Sequence, residues 1–415
     1  MFPLKSLWSM LSCLLVVVLS VSCATRRIES TDIQKNELRN IFENFWQISK
    51  KNIYPKKLEA KYFTETEYEK LIQLSKSAKN IYEFSFQLND FLQKLAVSHT
   101  YFYTDRDLDF YFFRSLFSTR DLDQPTLWHI GAEYKKTNYG YIVRSVLDGL
   151  SADKSDLKRG DLILKADGRS FHPVESFLLT KGDPVKLLVK RNSKQLKISI
   201  TPHHSGLHRS YIEAIRKSVR VIRINNKKIG YVHLWTGTHN ESVAALKSSV
   251  LDLQDTDGLI LDLRDGYGGA WWDHLDSFYP NTKSYFKATW LDRDGTKSEM
   301  LPEIKNNNDV YIKPMAVLIN EGVRSGKEAL AFQFKKTKRA TLIGTRTAGY
   351  FVAGGAYFRE LELPHFLYLS SKGLLLDGVD LEGSGVEPDM HVPYPLVPGS
   401  TDTQLKAAIR VLSKN

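Results

Sequence analysis

The stretch "EGVRSGKEALAF", Glu321 to Phe332, carries a serine three residues ahead of a glutamate. Ser325 and Glu328 form the Ser-x-x-Glu pattern of a capping box, which satisfies orphan N–H groups in a first helical turn. The spacing therefore predicts a helix opening at Ser325. A nucleophile can occupy the same place, because unsatisfied N–H groups at a helix start favour negative charge. Acyl transfer needs more than an attacking oxygen: a base to take its proton, a group to orient that base, and donors for the charge that develops on the carbonyl oxygen. A glycine-rich run, "DLRDGYGGAWW", ends another apolar strand pattern, and Gly268 and Gly269 there would let backbone approach a scissile carbonyl closely. The same glycines also suit a turn needed only for its geometry, and Ser325 suits a simple cap. Local sequence leaves both pairs of readings open.

The elements that would position these residues fall into three textures. From Glu29 to about Leu95 apolar residues recur every three to four positions, as in "LRNIFENFWQISKKNIYPKKLEAKYF", which predicts a small helical region. Between about Ile130 and Pro202, short branched runs alternate with Gly160-Asp161 and Asp167-Gly168 turns, the pattern of a compact β domain. After "HHSGLHRSYIEAIRKS", expected to be a linker, strand and helix signals alternate. "KIGYVHLWTG", "TDGLILDLRDGYGG", "KPMAVLIN" and "RATLIGTR" read as strands; "ESVAALKSSVLDL" and "GKEALAFQFKK" read as helices. That order predicts an α/β core with crossover helices, whose strand ends and helix starts are natural places for a site. The expected boundaries are 1–22 for a leader, 23–120 for the helical region, 121–204 for the β domain and 205–415 for the core.

The β segment resembles a PDZ domain, through a glycine-hydrophobic loop (Gly140, Tyr141, Ile142, Val143), a short helix around Ala152 and then "LKRGDLILKADG". That resemblance implies that loop amides receive a peptide carboxylate while the peptide extends an edge strand. Taken in order, "LAVSHTYF", the PDZ-like segment, "LILDLRDGYGG", "INEGVRSGKEALAF", "LIGTRTAG" and "EGSGVEPDMHV" resemble the S41 serine peptidases, which include carboxy-terminal processing proteases and tricorn core peptidases. The implied fold is multidomain α/β: a helical N-terminal region, a PDZ-like β domain and an S41 core of the ClpP/crotonase-like kind.

The resemblance also distributes roles. The processing-protease branch uses a lysine base after "GTRTAG", and here that position is Tyr350; a phenol, with a reference pKa near 10, cannot replace a desolvated lysine. The tricorn-like branch implies Ser98 and His99 in "SHT", and Glu382 three residues before Gly385 in "EGSGVEPD". His99 would then take the Ser325 proton and return it to the leaving amine, since an imidazole serves both steps. Ser98 and Glu382 would support the charge, and amides near Gly268 or Gly269 and of Gly326 would form the oxyanion hole. His233, His274 and His365 have no comparable context. Trp271 and Trp272 suit either a substrate pocket or aromatic packing. Arg324 and Lys327 depart from the small residues that more often surround the serine in this family, and so would alter its pocket or local field.

The first residues have their own chemistry. Lys5 precedes an apolar run from Met10 to Leu19, too short to span a bilayer comfortably and shaped like a signal-peptide core. It ends at Cys23 in "VLSVSCATRR", which resembles a bacterial lipobox with Ser20 in place of the usual leucine. Cleavage would remove Cys13 and leave Cys23 as the sole cysteine, so neither a disulfide nor a cysteine metal cluster is expected. The expected location is the cell envelope, with a lipid on Cys23 holding the protein at a membrane, by the same resemblance the outer one, facing the periplasm or exterior. The chain of 415 residues has a formal charge of +11, with dispersed bases and no nucleic-acid motif. The expected reaction is cleavage of extracytoplasmic peptides or unfolded proteins through an acyl-enzyme, with no metal or organic cofactor. The rival expectation is an inactive, PDZ-containing peptide-binding adaptor.

Overall fold

The computed structural model describes residues 36–117, 125–357 and 364–414. Cys13, Cys23 and the leader fall outside them, as do the two boundaries expected at 22/23 and 120/121.

The helical region forms as the apolar spacing predicts. Helices 36–52, Lys57–Tyr62, Glu65–Ser77 and Ile81–Lys94 share one core around Phe42, Trp46, Phe84, Leu88 and Phe91. Thr64 and Asn80 start the last two helices, accepting from the Glu67 N–H (3.3 Å) and Glu83 N–H (2.9 Å), contacts worth about 1 kcal/mol each. This core also holds Phe102, Leu367 and Leu369. The helices therefore lie on a sheet rather than standing alone. Strand Tyr101–Thr104 pairs antiparallel with the long strand His365–Leu376, so the segment beginning just after His99 is stitched to the C-terminal third of the chain. Asn89 adds a side-chain clamp: it accepts from the Phe102 N–H (2.8 Å) and donates to the Phe102 carbonyl (2.9 Å).

The β domain is a sheet in the order Ala132–Thr137, Gly140–Val146, Leu162–Ala166, Val185–Arg191, Lys194–Ile200. Val185, Leu187 and Val189 alternate inward, the period-two pattern of a half-buried strand. Arg191 closes the domain on the wholly buried Asp161 with two contacts of 2.7 Å.

In the third region, strands Lys227–His233, Gly258–Asp262, Met315–Ile319, Thr341–Gly344 and Met390–His391 form a parallel sheet, edged by antiparallel Arg220–Ile224. Every residue of Gly258–Asp262 and Met315–Ile319 is buried, as expected for strands covered on both faces. The expected linker is not one. His203–Gly206 pairs with Thr126–His129, and Leu207–Ser218 is a helix that buries Leu207, Tyr211, Ile212 and Ile215 in the main core. Its apolar residues do recur every three to four positions, but the flanking histidines and arginines mask that period.

Parallel strands point the same way, so three of them deliver their following loops to one end of the sheet. Gly258–Asp262 leads to Gly268, Met315–Ile319 to Ser325, and Thr341–Gly344 to Tyr350.

Candidate active site

Ser325 stands at the N-cap of helix Gly326–Thr337 with φ +55° and ψ −134°. A side chain other than glycine rarely adopts this conformation, and such strain concentrates at functional positions. Two contacts hold it: the Ser325 N–H donates to the Tyr350 carbonyl (2.8 Å) and to Glu328 Oε2 (3.1 Å). Glu328 is wholly buried and does more than cap. Its carboxylate also accepts from Thr347 Oγ1 (2.6 Å), the Gly349 N–H (2.7 Å) and the Tyr350 N–H (2.9 Å). Burial pushes its pKa up to about 7, against the pull of those donors.

The glycine loop fits against the serine without room to spare. A Cβ at Gly268 would lie 2.5 Å from Ser325 Cβ and 2.7 Å from the Arg324 carbonyl oxygen, and one at Gly326 would lie 2.1 Å from the Ala270 carbonyl oxygen. Only glycine permits either approach. Gly269, the third residue expected in the oxyanion loop, is exposed and has φ +86°.

The other half of the site gathers around Glu382. Its carboxylate accepts from the Ser98 N–H (2.9 Å), Ser98 Oγ (2.9 Å), the Phe351 N–H (2.6 Å) and the Val352 N–H (3.1 Å). Ser98 Oγ lies 2.9 Å from His99 Nδ1. A hydroxyl has one proton, and a carboxylate can only accept from it, so the Ser98 proton points to Glu382 and the hydroxyl oxygen accepts from Nδ1–H. This network leaves the lone pair of His99 on Nε2, the tautomer a general base requires. His99 too has positive φ, +54°. Burial lowers its pKa to about 4; Glu382 pulls it up and Arg324 pushes it further down. His99 is therefore neutral at neutral pH.

His99 and Ser325 are not hydrogen-bonded to one another here. The strip Thr347–Val352 joins their two halves, because Tyr350 binds Ser325 and Glu328 while the adjoining amides of Phe351 and Val352 bind Glu382. Such contacts often close only around substrate. The Tyr350 side chain is exposed.

A cavity of about 740 Å³ opens beside this strip, lined in part by Arg324, Tyr350, Asp109, Glu133, Tyr134 and Tyr141. All three regions contribute to its wall. Sequence reasoning named Arg324 as a departure but had no signal for the cavity, whose residues come from distant segments. The other candidates have structural partners: His233 stacks on Trp235 at 3.6 Å, His274 meets Ser242 Oγ at 2.9 Å, and His365 stacks on Phe102 at 5.2 Å. Trp271 and Trp272 pack with Phe286 and are not among the cavity's lining residues. Among the described residues no group of three or more His, Cys, Asp or Glu is placed to hold a metal.

The β-domain expectation needs correction. Gly140–Val143 is not a free loop but part of a central strand. It pairs with Ala132–Thr137 on one side and Leu162–Ala166 on the other, and the Val143 N–H donates to the Asp161 carbonyl (2.8 Å). These ladders already occupy the stretch on both sides. The edge of the sheet is Ala132–Thr137, and its Tyr134 and Lys136 line the cavity together with His172 and Pro173. The sequence stretch was misplaced because a glycine before alternating apolar residues marks a loop entry and a strand start alike.

The architecture thus joins a helical layer, a PDZ-type sheet and an α/β core, with a serine at a strained helix start. Residues 129–201 match the PDZ domain family and residues 228–392 match Peptidase family S41. The chain thus carries an S41 peptidase region preceded by a PDZ domain. Two relatives described as "Probable CtpA-like serine protease" are similar to it. That of Staphylococcus haemolyticus is 26% identical over 286 residues, 64% of this chain and 53% of the relative. That of Staphylococcus aureus is 27% identical over 278 residues, again 64% and 53%. The match thus spans about half the length of these relatives. Two solved structures share the fold, each with a TM-score of 0.53 and 19% identity. The photosystem II D1 C-terminal processing protease covers 91% of this chain and 97% of its own; the tricorn protease covers 92% of this chain and 37% of its own.

Proposed function

We propose that this protein is a serine peptidase in which Ser325 attacks a peptide carbonyl, His99 takes its proton, and Ser98 and Glu382 hold His99 in the productive tautomer. The observation that carries this reading is the Glu382–Ser98–His99 chain, with 2.9 Å at each link. Attack forms a bond from Ser325 Oγ to the carbonyl carbon, and the proton passes through Nε2 to the leaving amine. Water then attacks the acyl-enzyme with His99 again as base. Gly268 packs against Ser325 while Gly326, next to the serine, packs against Gly269 and Ala270, which supports the amides of these three glycines as the donors for the oxyanion. The edge strand Ala132–Thr137 is the place where a peptide would add to the PDZ sheet. The substrate would be a peptide or unfolded protein outside the cytoplasm, and Cys23 would carry the lipid that anchors the enzyme at the envelope.

A fluorophosphonate probe, which reacts only with an activated serine, tests the reading. It is expected to label the mature protein, to lose labelling with Ser325→Ala and to label His99→Ala far more slowly. Peptide binding without labelling or turnover would instead favour an adaptor.

A further inference from the structure

Arg324 directly precedes the nucleophile, and its side chain lines the cavity rather than solvent at large. A guanidinium offers five N–H donors in a planar fork, and a charge held out of bulk water is costly unless those donors find acceptors. The two other arginines on the same wall have theirs: Arg106 pairs with Glu175 at 2.5 Å and Arg144 with Asp265 at 2.8 Å. The Arg324 side chain makes no hydrogen bond or ion pair with a described residue; its guanidinium carbon stands 4.9 Å from the centroid of the Tyr267 ring.

Two carboxylates face it without reaching it. Asp109 accepts from Tyr267 Oη (2.7 Å). Glu133 accepts from Ser145 Oγ (2.6 Å), Tyr211 Oη (2.9 Å) and the Gly266 N–H (3.2 Å). Both contribute favourable long-range charge, which keeps Arg324 ionised in the cavity. Neither comes within ion-pair distance, so the fork remains open toward the space a substrate would fill.

Resting on the peptidase reading above, we propose that Arg324 is a specificity residue that binds a carboxylate of the substrate beside the scissile bond. That carboxylate is either an acidic side chain or the α-carboxylate of a chain end. Two parallel N–H···O bonds to a planar anion match the fork, and the wall lets the ligand lie between Arg324 and the PDZ edge. Occupancy has a second effect. Arg324 pushes the His99 pKa down, and a bound anion would offset that charge, making the base stronger when the preferred substrate is in place.

Binding to the Ser325→Ala protein tests this without requiring turnover. The probes are one fluorescent peptide sequence carrying Glu, Gln or Lys at a single scanned position, each prepared as the free acid and as the C-terminal amide. The expected result is binding about tenfold to a hundredfold tighter for the carboxylate form, the range of a charged hydrogen-bonded pair. A Glu-over-Gln preference identifies a side chain as the source, and an acid-over-amide preference identifies the chain end. Adding Arg324→Gln should collapse that ratio to about twofold or less, while Arg324→Lys should keep part of it, as expected when charge remains but the fork is lost. Equal binding of charged and neutral probes, tighter binding of Lys, or an unchanged ratio in Arg324→Gln would each overturn the proposal. Fluorophosphonate labelling of the protein with Ser325 intact is scored separately, so loss of the peptidase reading and loss of the carboxylate site give different results.

Discussion

Two glutamates, Glu328 and Glu382, each accept four hydrogen bonds, and both draw on the strip Thr347–Val352. They serve opposite kinds of neighbour. Glu328 is sealed in the core and three of its donors are backbone amides, so it fixes where the nucleophile's loop sits. Glu382 is only half-buried, and one of its donors is a hydroxyl that itself holds an imidazole. On the proposed reading, the first glutamate builds a place and the second sets a proton. A carboxylate whose donors are all fixed backbone or core groups acts as structure, whereas one bound to a rotatable hydroxyl beside a histidine can control chemistry.

That contrast can be broken most severely at the reacting atoms. Ser325→Ala and His99→Ala are each expected to lower kcat by about 10⁴- to 10⁶-fold, because the two act as a unit. Their double variant should be little worse than either, as steady-state hydrolysis of a peptide substrate would reveal. Glu328→Ala should act differently, removing the acceptor for four donors, two of them buried and two part-buried, and costing about 3 kcal/mol or more of stability. Urea unfolding should show this even in a Ser325→Ala background.

Glu382→Gln is expected to lower kcat by about a hundredfold and to cost about 1–3 kcal/mol of stability, because an NH2 turned toward Ser98 also faces the Phe351 and Val352 N–H groups, which then lose their acceptor. A glutamine amide can donate to Ser98, which then turns its own proton toward Nδ1 and places the lone pair of His99 on the wrong nitrogen. The pH profile sharpens the same point. With its pKa lowered to about 4, His99 is neutral throughout the neutral range, and the limb of kcat/KM that belongs to it should fall as pH drops through about 4. The sign for stability is the same: between the unfolded value near 6.5 and the folded value, the unfolded chain binds the extra proton, so acid in that window weakens the fold. Because Glu382 raises the His99 pKa, its replacement should move the acid limb lower still. The smallest effect belongs to Tyr350→Phe, about twofold or less, since Tyr350 contributes its backbone groups and leaves its ring in solvent.

Much of this was legible in the residues. The strand before Ser325 and the helix after it follow from an apolar run, a turn and a capping box, and they form as read. Ser98, His99 and Glu382 were found through ordered motifs, and hydrogen bonds bring these three together. Nothing in the sequence places Ser98 against Glu382, because that contact depends on Tyr101–Thr104 pairing with a strand near the other end of the chain. Gly140–Val143 was misread for a related reason: period two identifies a strand but not whether it lies at the edge or the centre of a sheet. The full role of Glu328 was equally hidden, since three of its four partners come from a later loop.

The pairing of Tyr101–Thr104 with His365–Tyr368 also sets a schedule. A growing chain displays His99 early and Ser325 much later, yet the acid that orients His99 appears only near the end. On the proposed reading, the unfinished molecule would therefore hold a base without its proton anchor during synthesis, and would stay harmless to itself until its final strands are in place.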